Sequence, residues 1–346
     1  MNIVLASSCM PFVRGGGRFI VDWLEEKLIE YGHQVEKLYL PFEDRPDKLL
    51  EQISAFRLMD LSQAGDLLIA IRPPAHVLRH PRKVLWFIHH IRAFYDLWGD
   101  PFAPPPTPAN DAVRRALVAL DTLAFAEAEA VFTNSQRVSE RLTAFNGVAS
   151  KPLYPPLLHP ERFVCRGYGD EILAVNRVEP HKRQLLLVEA MAQVKSDVRL
   201  RICGKAFDAQ YAEAIQRRIE DLGLSDRVRF EDRWIDEAEK ADLVADALAL
   251  AYTPMDEDGI GYPCEEAAHA AKAIITTTDA GAVLEFVSDG YNGLVAEPDP
   301  AAIAEAMDRL RADSTAQRLG ANNQARLAEL AIDWSPVISA LTASRP

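Results

Sequence analysis

An alternation that runs twice constrains this chain more than any other feature. Short apolar runs of strand length alternate with amphipathic stretches of helix length, and the series breaks once before resuming. Ile3 to Ala6, Val35 to Leu40, Leu67 to Ile71, Val84 to Ile88 and Ala130 to Thr133 read as the strands of the first series. Between the first two, Phe19, Ile20, Trp23, Leu24 and Leu28 fall on one helical face, and Gly32-His33 ends that helix. The segment Leu153-Tyr-Pro-Pro-Leu-Leu-His-Pro160 then interrupts the pattern. Its prolines bar a helix interior and a central ladder, so it is a linker or a strand end. Ile172 to Asn176, Leu200 to Cys203, Val228 to Glu231, Leu248 to Tyr252 and Ile274 to Thr277 form the second series. Apolar strands set between helices predict parallel sheets covered on both faces. The expectation is an α/β chain of two doubly wound domains, 1–165 and 166–330, with a terminal segment 331–346.

Several classes are excluded by what the 346 residues lack. The most apolar long stretch, Ala116 to Phe132, is interrupted by Asp121, Glu127 and Glu129, so no spanning helix is predicted. Met-Asn-Ile-Val-Leu-Ala at the start reads as a first strand rather than a signal peptide, which predicts a cytoplasmic protein. Cys9, Cys165, Cys203 and Cys264 form no CxxC pair, and the histidines do not cluster at ligand spacings, so reduced thiols and no metal site are expected. The net charge of −13 is uneven: residues 1–165 carry −1 and residues 166–346 carry −12. So acidic a chain is not a general nucleic-acid binder. Arg79, Arg82 and Lys83 offer a small basic face for peripheral contact with a membrane. Oligomeric state is not encoded in any pattern here.

Ligands of doubly wound sheets bind beyond the carboxyl ends of the strands, so the loops there hold the candidate residues. Gly15-Gly16-Gly17 follows the first strand without the GxGxxG spacing; it either lets the backbone approach a ligand or simply turns the chain. His89 and His90 end the strand Val84 to Ile88 and could meet a hydroxyl or carry a proton, or have no such role. Arg177 and Lys182 flank the loop between a strand and a helix start, where a fork and a point charge can meet a diphosphate. The proline-rich run Asp100 to Pro108 is a connector or a flap. Densest of all is Asp256-Glu-Asp-Gly-Ile-Gly-Tyr-Pro-Cys-Glu-Glu266. Pro263 suits the first turn of a helix, and an acid there is explained by the helix dipole. Three acids ahead of Gly259-Ile260-Gly261 are not, and are expected to hold ligand hydroxyls.

Taken together these segments resemble the retaining glycosyltransferases of family 4, glycosyl transferases group 1, whose GT-B fold is two facing Rossmann-like domains. The resemblance runs over nearly the whole chain. It is carried by Asn134-Ser135, by Asn176-Arg177 through Lys182, by Asp279-Ala-Gly281 through Glu285, and by Asp289-Gly-Tyr-Asn-Gly293-Leu-Val. Arg183 and Ala271 stand where that pattern has glycine. Glu266-Ala-Ala-His-Ala-Ala-Lys-Ala-Ile-Ile resembles the end of the family's Glu-x7-Glu motif, with Asp258 as the first acid. The alternative register pairs Glu257 with Glu265.

This resemblance implies a nucleotide-sugar donor, UDP- or GDP-linked, and no cofactor or metal besides it. The acceptor would be a saccharide, a lipid-linked glycan or a small molecule. Arg177 and Lys182 would neutralise the leaving diphosphate, Glu266 would hold the ribose, and Asp258 or Glu257 with the amides of Gly259, Ile260 and Gly261 would meet the sugar. Gly16, Gly17 and His89 or His90 would line the cleft from the first domain. The terminal helix would cross back to that domain. A non-catalytic sugar-nucleotide-binding protein and a GT-B epimerase are the competing readings.

Overall fold

The computed structural model describes residues 1–12, 15–43, 45–101 and 103–343. They divide into two compact units, residues 1–155 joined by the C-terminal segment from Asp333, and residues 156–332. Unit 1 contains β1 (Asn2–Cys9), α1 (Gly16–Glu30), β2 (Gln34–Pro41), α2 (Leu49–Leu58), β3 (Leu67–Ala70), β4 (Lys83–Phe87), α3 (Pro108–Ala126), β5 (Ala130–Thr133), α4 (Gln136–Asn146) and β6 (Lys151–Pro152). Unit 2 contains β7 (Glu171–Val175), α5 (Gln184–Met191), β8 (Arg199–Gly204), α6 (Ala209–Asp221), β9 (Val228–Asp232), α7 (Glu237–Asp246), β10 (Ala249–Ala251), α8 (Tyr262–His269), β11 (Ala273–Thr277), α9 (Val283–Phe286), β12 (Gly293–Ala296), α10 (Pro300–Arg311) and α11 (Thr315–Glu329). The last helix, α12 (Trp334–Thr342), joins unit 1.

Each sheet is parallel throughout. In unit 1 the order is β2-β1-β3-β4-β5-β6, with Ala6 opposite both Leu38 and Ala70. Alternation along β1 explains how both faces are covered. Ile3 and Leu5 enter one apolar cluster with Leu24 and Leu28 of α1 and Val337, Ile338 and Leu341 of α12. Val4 and Ala6 enter the opposite cluster with Ile53 of α2, Leu117 of α3 and Leu142 of α4. Asp333 caps α12 by accepting from the Ser335 amide at 2.8 Å.

Unit 2 runs β12-β11-β10-β7-β8-β9, with Leu173 opposite Leu250 on one side and Arg201 on the other. Both orders are doubly wound, as the α/β expectation requires. Strand order reverses between β1 and β3 in unit 1 and between β7 and β10 in unit 2, and the loops that leave a reversal point diverge to make a crevice.

The connector after Asp100 contains no described helix or strand as far as Thr107, and Phe102 lies outside the described residues. Thr107 ends it as the cap of α3, accepting from Asn110 at 3.2 Å, with Pro108 in the first turn.

Candidate functional site

At the reversal point of unit 2, the loop after β7 and the loop after β10 are stitched together. The Met255 amide donates to the His181 carbonyl at 2.8 Å. A 3-10 turn, Pro180–Lys182, carries the Lys182 side chain inward until only 6% of it is exposed. Its ammonium donates to the Tyr252 hydroxyl at 3.0 Å and pairs with the Glu257 carboxylate. Burial pushes the Glu257 carboxyl up, but Lys182 outweighs it and holds the group below its ordinary range. The Tyr252 phenol is driven far up by burial, with the Glu257 charge adding to it, so it stays protonated. Arg177 is more open and donates to Glu179 at 2.8 Å.

The acidic loop is fixed from the other side by the loop after β11. Asp256 donates its amide to the Asp279 carbonyl at 2.8 Å, and Glu257 both donates to Ala280 at 3.2 Å and accepts from Ala282 at 2.9 Å. Gly281 makes this crossing feasible. Its φ is +67°, and a Cβ there would lie 2.5 Å from both the N and the O of Glu257. Gly261 has φ +82°, and a Cβ would strike the Tyr252 ring at 2.3 Å. Asp258 and Gly259 are half-buried and Ile260 is buried.

Helix α8 starts directly after Gly261 with Pro263 in its first turn. Both glutamates that follow are buried. Glu266 pairs with Lys240 of α7 at 2.5 Å, and Glu265 accepts from the Leu157 amide at 3.1 Å. Sequence reasoning left two registers open, and the geometry splits them. Glu257, not Asp258, lies on Lys182, whereas Glu266, not Glu265, has the cation.

Both departures from the resembled glycines occupy left-handed backbone, Arg183 at φ +58° and Ala271 at φ +50°. The Arg183 guanidinium clamps both oxygens of Asp279, at 2.6 and 2.5 Å. Tyr252, Lys240 and this Arg183–Asp279 clamp were not legible beforehand. Tyr252 sits just past a strand where any apolar residue would fit, and Lys240 lies 26 positions from its partner.

In unit 1, Gly15 precedes α1, and Gly16 and Gly17 form its first turn. A Cβ on Gly17 would lie 3.3 Å from the Arg72 side chain, a cation the sequence reading passed over. His89 is half-buried and its Nδ1 donates to the His90 carbonyl at 2.7 Å, since a carbonyl can only accept. Burial, helped by Arg72, pushes its pKa down to about 4, so the ring is neutral. His90 corrects the expectation that either histidine lines a ligand crevice. Its ring is 2% exposed, meets Asn146 Oδ1 at 3.0 Å and packs against Phe87, Tyr95 and Phe145. The expected basic face is corrected as well. Lys83 is fully buried and donates to the carbonyls of His76 and Leu78 at 3.0 and 3.2 Å. Among the described residues no helix is long and apolar enough to cross a membrane, and no group of three or more His, Cys, Asp or Glu is placed to hold a metal.

Comparison with known proteins gives this geometry its class. Residues 166–326 match the family described as glycosyl transferases group 1. The human alpha-1,3/1,6-mannosyltransferase ALG2 is 24% identical over 231 residues, 58% of this chain and 55% of that one. A GDP-mannose-dependent alpha-(1-6)-phosphatidylinositol monomannoside mannosyltransferase of Mycolicibacterium smegmatis is 28% identical over 205 residues, 53% of this chain and 52% of its own. The chain thus spans about half the length of the curated relatives it matches. Among solved structures, Anabaena Alr3699/HepE, crystallised with UDP and glucose, superposes with TM-score 0.76 at 19% identity over 99% of this chain and 100% of its own. Sucrose-phosphate synthase of Thermosynechococcus elongatus gives TM-score 0.76 at 18% identity over 98% and 97%. The fold is GT-B. Over its second unit the chain is similar to the group 1 glycosyl transferases.

Proposed function

We propose that this chain transfers a hexosyl group from a nucleoside diphosphate sugar to a hydroxyl acceptor, with retention at the anomeric carbon. The observation that carries the proposal is the position of Lys182. Its buried ammonium sits at the sheet's reversal point, beside Glu257 and the glycine turn that opens α8. Arg177 lies on the same loop. As the sugar–phosphate bond breaks, charge grows on the diphosphate. Lys182 exchanges its partner Glu257 for that charge, Arg177 adds a second cation, and no metal is needed for this neutralisation. Asp258 or Glu257 with the amides of Gly259 to Gly261 holds the sugar, and Glu266 holds the ribose. The acceptor oxygen attacks the face that the diphosphate leaves, through an oxocarbenium-like state, and its proton passes to the departing phosphate oxygen.

Mannose is supported by the names of both curated relatives and GDP-mannose by that of the Mycolicibacterium one, while glucose from UDP-glucose is supported by the ligands of the Anabaena structures. A saccharide, a lipid-linked glycan or a small molecule fits as acceptor. The working place is the cytoplasm or the inner face of its membrane. A thermal-shift screen with UDP-, GDP- and ADP-sugars identifies the donor, and donor hydrolysis by the purified protein separates an enzyme from a binding protein. Lys182→Ala should lower turnover by about 10²–10³-fold, the loss seen when one donor to a developing oxyanion is removed. Near-normal turnover in a folded variant would sink the assignment. Product anomer configuration, read by NMR, tests retention.

A further inference from the structure

Glu265 and Glu266 are neighbours of the same chemistry, and both are at most 2% exposed. Successive residues of a helix point about 100° apart, so the two carboxyls meet different surroundings. Glu266 faces α7. There Lys240 approaches its Oε1 to 2.5 Å, and also meets Glu237 at 2.8 Å and the Phe163 ring at 5.8 Å. Glu265 faces the chain near Leu157, accepts that one amide on Oε2, and has no hydrogen-bond partner on Oε1.

These surroundings act on the two carboxyls differently. Burial drives the Glu265 carboxyl well above its ordinary range, with one amide bond to oppose it. Burial also lifts Glu266, but here an ammonium pulls against it. Burial alone would lower the Lys240 pKa; Glu266 and Glu237 outweigh that and raise it. A neutral acid offers one donor and weak acceptors, whereas a carboxylate accepts strongly from two vicinal hydroxyls.

We propose that Lys240 is the positioning residue that makes Glu266, rather than Glu265, the ribose-binding carboxylate, by pairing with it and fixing its oxygens. The proposal rests on the reading of Glu266 as a ribose ligand. It assigns a role to a residue outside every motif the sequence presents.

The test uses the full chain and whichever of UDP or GDP binds it, together with the 2′-deoxy and 3′-deoxy forms. Wild-type protein should prefer the ribonucleotide. In Lys240→Met, affinity for the ribonucleotide should fall about 10-fold or more, the loss of a hydrogen bond to a charged group, while affinity for the deoxy forms stays put. Donor KM should rise in step, with kcat at saturation within about 3-fold of wild type by the same uniform-binding argument. Lys240→Arg should restore most of the preference. If Lys240→Met does not fold, Lys240→Gln, which keeps a donor without the charge, takes its place. A folded Met or Gln variant that discriminates ribose as wild type does overturns the proposal. Wild-type protein that binds ribo and deoxy forms alike overturns the ribose role of Glu266 and the proposal with it. If UDP and GDP both fail to bind wild type, it is the donor reading that falls.

Discussion

The two units share a parallel, doubly wound plan but fill their buried polar sites with opposite chemistry. In unit 1 the buried groups include side chains paired with one another inside the core. His76 meets Asp121 at 2.9 Å, Tyr95 donates to the same carboxylate at 2.5 Å, and His90 meets Asn146 among edge-on and tilted aromatic rings. In unit 2 the buried groups are acids and lysines on the loops and helix that leave the reversal point: Lys182 with Glu257, Lys240 with Glu266, and Glu265 with an amide alone. A carboxylate shared by an imidazole and a phenol inside the apolar cluster specifies a core. An ionic group held at a loop's edge by one partner can exchange that partner for a ligand. The difference is the one the proposed charged donor would need in unit 2.

The largest effect that separates the units comes from two glycines. Gly281→Ala places a methyl 2.5 Å from backbone atoms of Glu257 on a left-handed residue, and backbone cannot step aside cheaply. We expect a loss of about 4 kcal/mol in urea unfolding, combining overpacking with the left-handed penalty. Donor binding should be lost too, because Glu257 is displaced from Lys182. Gly17→Ala meets only the flexible Arg72 side chain at 3.3 Å and lies in the first turn of α1, where alanine is the better helix former. Its stability should stay within about 1 kcal/mol of wild type. Equal damage from both would erase the contrast between a backbone-built edge and a side-chain-built one.

A smaller effect tests the histidine core of unit 1. Burial pushes the pKa of His90 down to about 4, below the ordinary 6.5, so the folded state binds fewer protons than the unfolded one between those values. Its contribution is present above pH 6.5 and is lost as pH falls through that window, by about 3 kcal/mol at the acid end. His90→Gln, which keeps a donor toward Asn146, should flatten the decline in unfolding free energy from pH 6.5 to 4 by about one proton's slope. An unchanged acid limb would mean that other groups set it.

Much of this comparison was legible in the residues themselves. Strand runs such as Leu67–Ala70 and Ile274–Thr277 are apolar because both faces are covered, so burial writes itself into composition. The charge imbalance placed the ionic chemistry in the second half, and Gly259 to Gly261 located the start of α8. What stayed hidden depends on side-chain direction or on contacts across long sequence separations. His89 and His90 look alike in sequence, yet period-two alternation at the end of β4 sends one into the aromatic core. Lys83 reads as surface charge, but its ammonium is consumed by carbonyls. Two-residue β6 and the strand β12, which starts on a glycine, carry too little apolar signal to be seen.

The smallest expected effect has the opposite pH sign and belongs to unit 2. Because burial raises the Glu265 carboxyl well above its ordinary range, the folded state retains a proton that the unfolded state gives up near pH 4.3. Its stability contribution is present below that value and is lost as pH rises toward the folded pKa. Glu265→Gln mimics the neutral acid and can still accept from Leu157. It should match wild type at pH 4 and exceed it at pH 8, measured by urea unfolding at both values. The same variant should bind the donor nucleotide as wild type does, whereas Glu266→Gln should not. If Glu265→Gln and wild type instead run parallel from pH 4 to 8, Glu265 is ionised in the fold. The contrast that singles out Glu266 would then rest on its geometry with Lys240 alone.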